Sequence, residues 1–102
     1  MNEPDFSGLS ARARELGLPE RAYAACLRFL SNTQPLPNGW NPDAFEMRFK
    51  SLGFLFAHAF IPEPFFETRL LLFYEGDEVG TYKLVTSLEG EDLDDYLVLH
   101  EH

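Results

Sequence analysis

The 102-residue chain is long enough for one domain with a single hydrophobic core, and its 45% hydrophobic and 25% charged residues are those of an ordinary soluble globular protein. A formal net charge of −9 disfavours binding to nucleic acid or to an anionic membrane, because phosphate groups require a cationic surface. The single cysteine excludes an internal disulfide. With an acidic N-terminus that lacks the apolar core of a signal peptide, these totals predict a protein of the reducing cytoplasm.

The first thirty residues predict two helices. Residues 1–9 are predicted to be a flexible lead-in, followed by a short helix over Ser10–Leu16 that Gly17 ends. Pro19 suits the first turn of a second helix, Pro19–Leu30, whose apolar residues repeat at the spacing of one helical face. Cys26 falls on that apolar face, so we expect it to be an inert packing residue.

A loop and a third helix are predicted next. Residues 31–42 contain three prolines and an Asn-Gly pair, which indicate a loop. Trp40 lies at its end and is expected to pack against the following helix, with an exposed binding anchor as the alternative. That helix would begin at Asn41 and Pro42. Its buried face would contain Phe45, Phe49 and Leu52, and Glu46 would pair with Lys50 across one turn.

The stretch after Gly53 has two interpretations. Gly53 could end the helix and leave Phe54–Ile61 as a strand, or the phenylalanines could continue one longer helical face. The strand is narrowly favoured, because Pro62 and Pro64 would then form a tight connection.

Residues 66–88 have the composition of a β-hairpin around Glu75-Gly76-Asp77-Glu78. A two-residue turn at Gly76-Asp77 would pair Leu72 with Thr81. A three-residue turn that includes Glu78 would pair Leu72 with Tyr82 and Leu70 with Leu84, and it is favoured because it collects the large side chains on one face. Residues 70–74 are apolar on both faces, which is typical of a central strand or of a face covered by a second subunit.

The chain ends with an acidic turn over residues 89–95 and a last strand over Tyr96–His100, with Tyr96 and Val98 on the same face. The predicted fold is therefore a single α+β domain over residues 1–102, in which two or three N-terminal helices pack on a three- or four-stranded antiparallel sheet.

No catalytic, cofactor-binding or metal-ligating motif is found. The glycines are isolated, and neither a Cys-x-x-Cys nor a His-Glu-x-x-His pattern occurs. His58 lies in an apolar run and is expected to be a core residue. Glu67, beside two phenylalanines, is the best isolated candidate for acid–base chemistry, but nothing pairs it with a second group. We therefore expect a protein that is not an enzyme and has no cofactor.

The uneven distribution of charge along the chain is the clearest indication of function in the sequence. Residues 1–60 carry six acids and six bases, whereas residues 61–102 carry eleven acids and two bases. This asymmetry predicts an acidic module that docks on a basic protein partner, in the manner of inhibitors or immunity-type proteins. The predicted partner-binding residues are Glu75, Asp77, Glu78, Glu89, Glu91, Asp92, Asp94, Asp95 and Trp40. The alternatives are a ligand-binding protein or enzyme with a phenylalanine-lined pocket, and a dimeric adaptor that forms a homodimer through the second sheet face.

Overall fold

The computed structural model describes residues 6–33, 35–56, 61 and 63–100. Within these ranges, two helices precede a four-stranded antiparallel sheet, which confirms the α+β class. The sheet has the strand order β1-β2-β3-β4, in which each strand pairs with the next along the chain. The elements are α1 Phe6–Leu16, α2 Leu18–Asn32, the single 3₁₀ turns Pro37–Gly39 and Pro42–Ala44, β1 Phe45–Leu55, β2 Phe65–Tyr74, β3 Asp77–Ser87 and β4 Asp92–Leu99.

The two predicted helices are present. Gly17 separates them with a left-handed backbone (φ 61°), a conformation that a residue without a Cβ adopts at little energetic cost. α1 begins at Phe6 rather than Ser10, so residues 6–9 belong to the helix. α2 extends the predicted range by one residue at its start and two at its end. Its buried face includes Cys26, which is completely buried as a free thiol.

The predicted third helix is wrong. Asn41 does cap a helical segment, because its side-chain oxygen accepts a hydrogen bond from the Asp43 N–H at 3.0 Å. That segment is a single 3₁₀ turn, and β1 begins directly after it. Pairing with β2 outweighs the local helical signal, since a helix here would leave the apolar β2 at the edge of the sheet. The predicted Glu46–Lys50 pair is replaced by Glu46–Arg48 at 3.1 Å, two residues apart on one strand face.

β1 also decides the ambiguous stretch as far as the structure describes it. The strand continues through Gly53 to Leu55, so neither the helical continuation nor a strand that starts only at Phe54 is correct. Residues 57–60, which include His58 and Phe60, lie outside the described residues, as does Pro62.

Both predicted hairpin registers are wrong, although the predicted face is right. The turn is Glu75-Gly76, with φ values of 53° and 86°, and Tyr74 lies opposite Asp77. Two positive φ values define the type I′ turn, whose twist matches that of paired strands. A bulge at Val79 then places Leu72 opposite Gly80 and Leu70 opposite Tyr82. The register differs by two residues from the favoured one, so every side chain keeps its predicted face.

The predicted acidic turn over 89–95 is too long. β4 begins at Asp92, so three aspartates lie on the strand rather than in the turn. Tyr96 pairs with Lys83 and Val98 with Thr81, and the two side chains lie on one face as predicted.

One face of the sheet carries the main core. The buried α2 residues pack there against Leu70, Leu72, Tyr82 and Leu84. α1 joins a smaller cluster with Leu18 and Phe66. β2 lies between β1 and β3, which explains its apolar character. No helix in the described residues covers the opposite face, which is called the open face below.

Candidate functional site

The predicted partner-binding residues lie at two opposite ends of the sheet. The turn that contains Glu75 joins β2 to β3, and the turn that contains Glu89 and Glu91 joins β3 to β4. The 11 residues of β3 separate the two turns, which corresponds to about 35 Å. The acids therefore form two separate surfaces rather than one.

The β2–β3 end contains Trp40. Its ring stacks on Tyr74 with the ring centroids 5.0 Å apart, and meets Phe45 edge-on at 5.8 Å. The Asn41 N–H donates to the Tyr74 hydroxyl at 3.2 Å, which fixes the loop that carries the tryptophan. Trp40 is half-buried, so it packs as predicted, but against strand residues rather than a helix. Asp77 and Glu78 are exposed beside it.

Two arginines from the helices hold the β3–β4 turn. Arg12 Nε donates to the Leu88 carbonyl at 2.8 Å. Arg21 Nη2 donates both to the Gly90 carbonyl and to Asp92 Oδ1, each at 2.7 Å. These contacts join residues about seventy positions apart and fix the acidic turn against α1 and α2. The sequence indicated the bases and the acids but no contact between them.

Two aspartates of β4 are held by tyrosines. The Tyr82 hydroxyl donates to Asp95 Oδ2 at 2.8 Å, and the Tyr96 hydroxyl donates to Asp94 Oδ2 at 2.7 Å. Burial together with the Asp95 hydrogen bond raises the pKa of Tyr82 well above its usual value. The hydrogen bond from Tyr96 lowers the pKa of Asp94, so this carboxylate stays ionised at neutral pH. Glu89 and Glu91 are exposed and, within the described ranges, make no ion pair.

A cleft of about 610 Å³ lies between the C-terminal half of α2 and β4. Its walls combine acids with apolar side chains: Asp92 and Asp95 line it together with Phe29 and Leu93. Leu93 is 41% exposed. The C-terminal end of α2 also borders the cleft and adds the negative end of the helix dipole. Among the described residues that line it, Arg28 is the only base.

Three of the described phenylalanines, Phe54, Phe56 and Phe66, line an open groove instead of an enclosed pocket. A groove of about 270 Å³ runs between Leu9 and the β1 residues Leu52 and Phe54, with Phe56 just beyond the strand. Phe56 is 65% exposed. A closed apolar cavity with converging polar groups is the usual form of a small-molecule site, and this part of the chain does not contain one at the phenylalanine cluster.

Glu67 has an electrostatic role that its sequence context did not reveal. It is 7% exposed, on the open face. Arg69 Nε donates to its Oε1 at 2.6 Å, and Lys83 Nζ lies 3.7 Å from its Oε2. Glu67 therefore forms ion pairs with both Arg69 and Lys83 on the open face.

The described residues were also searched for a reactive thiol, a metal site and a membrane-spanning helix. Burial raises the pKa of the Cys26 thiol to about 12, so the thiolate that nucleophilic chemistry requires is scarce at neutral pH. His, Cys, Asp and Glu side chains among these residues form no group of three that could hold a metal ion. No helix there is long and apolar enough to cross a membrane.

Comparison with known proteins found no match: no family model matches the chain, and no curated protein or solved structure is significantly similar to it.

Proposed function

We propose that the protein is a small acidic binding module that docks on a basic protein partner through the β3–β4 end. The observation that carries the proposal is the fixed acidic turn beside a cleft of mixed acidic and apolar character. Arg12 and Arg21 hold the turn in place before any partner arrives. A pre-organised surface loses little conformational entropy on binding, which favours affinity.

The β3–β4 end suits this role better than the β2–β3 end. It carries five of the eight predicted acids, and the cleft gives it apolar contact area at Phe29 and Leu93. Apolar area surrounded by a polar rim is the usual anatomy of a protein interface. The acids at the β2–β3 end lie beside Trp40, whose ring already packs on its neighbours.

The experiment compares two double variants with equal charge loss. The first, Glu89→Gln/Glu91→Gln, removes charge from the proposed surface. Asp92, Asp94 and Asp95 are kept because they bind Arg21, Tyr96 and Tyr82. The second, Asp77→Asn/Glu78→Gln, removes the same charge from the opposite end. The probe is a synthetic peptide of alternating arginine and leucine, with binding followed by amide chemical shifts and stopped-flow fluorescence.

We expect the first variant to associate about tenfold more slowly than the wild type at low salt, since charges near an interface act mainly on the association rate. The association rate of the second variant should fall much less. The difference should shrink at 0.15 M salt, where the screening length is about 8 Å. Equal losses in the two variants would show attraction to net charge alone and refute the proposed surface. The melting temperature should be unchanged, because each replaced side chain is exposed.

A second candidate function is self-association along the edge of β1. This strand exposes Phe49 (46%) and Leu52 (38%), and Phe56, just beyond its end, is 65% exposed. A long apolar edge strand readily pairs with another strand. Antiparallel pairing of two copies around Met47 would place Glu46 of each copy opposite Arg48 of the other, so the charges are self-complementary.

Sedimentation equilibrium tests this dimer. We expect a mass near twice 11.7 kDa at micromolar concentration, and a monomer for the Phe49→Lys variant. The matched control is Val98→Lys on the opposite edge strand, which should stay dimeric. A wild-type monomer at all concentrations would exclude the dimer, and loss of the dimer in the control would place the contact elsewhere.

A further inference from the structure

The open face of the sheet concentrates positive charge in an otherwise acidic protein. Half of the eight bases lie there: Arg48, Lys50, Arg69 and Lys83. The other four are on the helices. Neither predicted hairpin register pairs Arg69 with Lys83: the two-residue turn places them on opposite faces, and the three-residue turn offsets them by two residues on one face.

The observed register places Arg69 directly opposite Lys83. Like charges in directly opposed positions of neighbouring strands destabilise a sheet. Glu67 offsets this repulsion, but it supplies one negative charge for two positive ones. Lys50 adds a third positive charge at the β1 bulge and has no carboxylate partner among the described residues. The row Lys50–Arg69–Lys83 with Glu67 therefore has a net charge of +2. Asp94, which accepts a hydrogen bond from Tyr96 on the same face, reduces this to +1.

A groove of about 370 Å³ lies against this row of bases. Thr81, Tyr96 and Val98 line it together with Lys50, Arg69 and Lys83. Tyr96 is 44% exposed and Val98 50% exposed, so the groove offers an apolar surface beside the cations. Lys83 Nζ lies 4.6 Å from the centre of the Tyr96 ring, where the ring and Glu67 together hold the ammonium group in position.

We propose that this groove binds a small organic anion, with a carboxylate or phosphate group on a planar apolar body. The anionic group lies between Lys50, Arg69 and Lys83, and the apolar body lies on Tyr96 and Val98. The volume is within the range of about 300–1,000 Å³ that small-molecule sites occupy. Binding of the anion relieves the repulsion between Arg69 and Lys83, which gives a physical reason for the uncompensated positive charge. The acidic cleft lies on the helix-covered side of β4. Asp94 borders that cleft and also bonds to Tyr96 of this groove, so it is left unchanged and the variants that test the two proposals share no residue.

Titrations with four probes test the site by amide chemical shifts: 1-naphthoate, 1-naphthyl phosphate, inorganic phosphate and the neutral 1-naphthalenemethanol. We expect saturable binding of at least one naphthyl anion with a Kd of about 0.1–1 mM, an ordinary affinity for a ligand of this size. The shifts should fall on residues 81–83 and 96–98. The carboxylate and phosphate arms show which anionic group the site prefers. Inorganic phosphate should bind at least about tenfold more weakly, because it lacks the apolar body.

Two single variants and one control accompany the titrations. Lys50→Gln and Lys83→Gln should each weaken binding of the naphthyl anion about tenfold, since each removes a charge-assisted contact. Lys50 is exposed and unpaired among the described residues, so its variant folds even if Lys83→Gln does not. The control Arg28→Gln removes one positive charge from the helix-covered side and should leave binding unchanged. The proposal is overturned if the neutral probe binds as tightly as the anions, if the control weakens binding as much as Lys50→Gln, or if no probe saturates.

Discussion

Gly80 allows β4 to approach β3, and replacing this glycine tests the placement of β4 with its three aspartates. A Cβ built at this position would lie 2.2 Å from the Val98 carbonyl oxygen and 3.0 Å from the Leu99 side chain. Non-bonded carbon and oxygen atoms do not approach so closely. The nearest atom belongs to the backbone, so the Gly80→Ala variant has to displace β4 by about 1 Å.

The expected destabilisation follows from these contacts. Overpacking by one methyl group costs about 1–3 kcal/mol, and displacing β4 weakens neighbouring ladder bonds by about 1 kcal/mol each. One nearby bond runs from the His100 N–H to the Val79 carbonyl at 2.7 Å. We therefore expect Gly80→Ala to lower the free energy of unfolding by about 2–4 kcal/mol in urea denaturation, and to accelerate hydrogen exchange in residues 97–100.

A matched glycine serves as the control. A Cβ at Gly8, on the exposed side of α1, would have no heavy atom within 4 Å. Gly8→Ala should therefore raise the free energy of unfolding by up to about 1 kcal/mol, because alanine is the better helix former. If Gly80→Ala changes stability by less than about 0.5 kcal/mol, the close approach of β3 and β4 is wrong, and the placement of the acidic strand is wrong with it.

Two further predictions concern the core. Leu72 is completely buried, so Leu72→Ala should lower the free energy of unfolding by about 2–5 kcal/mol in the same assay, whereas Glu78→Ala at the exposed start of β3 should change it by well under 1 kcal/mol; equal effects would contradict the strand assignment. Burial raises the pKa of Cys26 to about 12, so the unfolded chain loses the thiol proton at a lower pH than the folded protein does. The contribution of the Cys26 thiol to the free energy of unfolding is fully present below about pH 8.5. It decreases by up to about 1.4 kcal/mol per pH unit between pH 8.5 and 12. The Cys26→Ala variant should show a shallower alkaline decrease in urea denaturation, and an unchanged pH profile would contradict the burial.

The proposed site could be predicted only in part. The sequence showed that the acids concentrate in residues 61–102, and it placed Glu89 and Glu91 in a turn. It could not show that the acids divide between two ends of the sheet, because that depends on the direction of β3. Nor could it show that Arg21 binds Asp92, since residues 71 positions apart are brought together only by the packing of α2 on the sheet.

Local chemistry alone determined the helices and the faces of the hairpin. Gly17 separates α1 from α2 through a backbone conformation that glycine adopts readily, and the apolar spacing of α2 identifies its buried side. Two registers that differ by two residues place the same side chains on each face of the hairpin. The predicted core residues of β2 and β3 are therefore correct although the predicted turn is wrong.

Only the tertiary structure decided that β1 is a strand and which charged side chains are neighbours on the open face. Residues 45–52 satisfy both a helical and a strand pattern, and only the unpaired edge of β2 selects the strand. The register of the hairpin depends on the Glu75-Gly76 turn and the Val79 bulge, which together bring Arg69 opposite Lys83. The sequence around Arg69 does not indicate that Lys83 lies beside it, because cross-strand neighbours are set by hydrogen-bonded pairing rather than by distance along the chain.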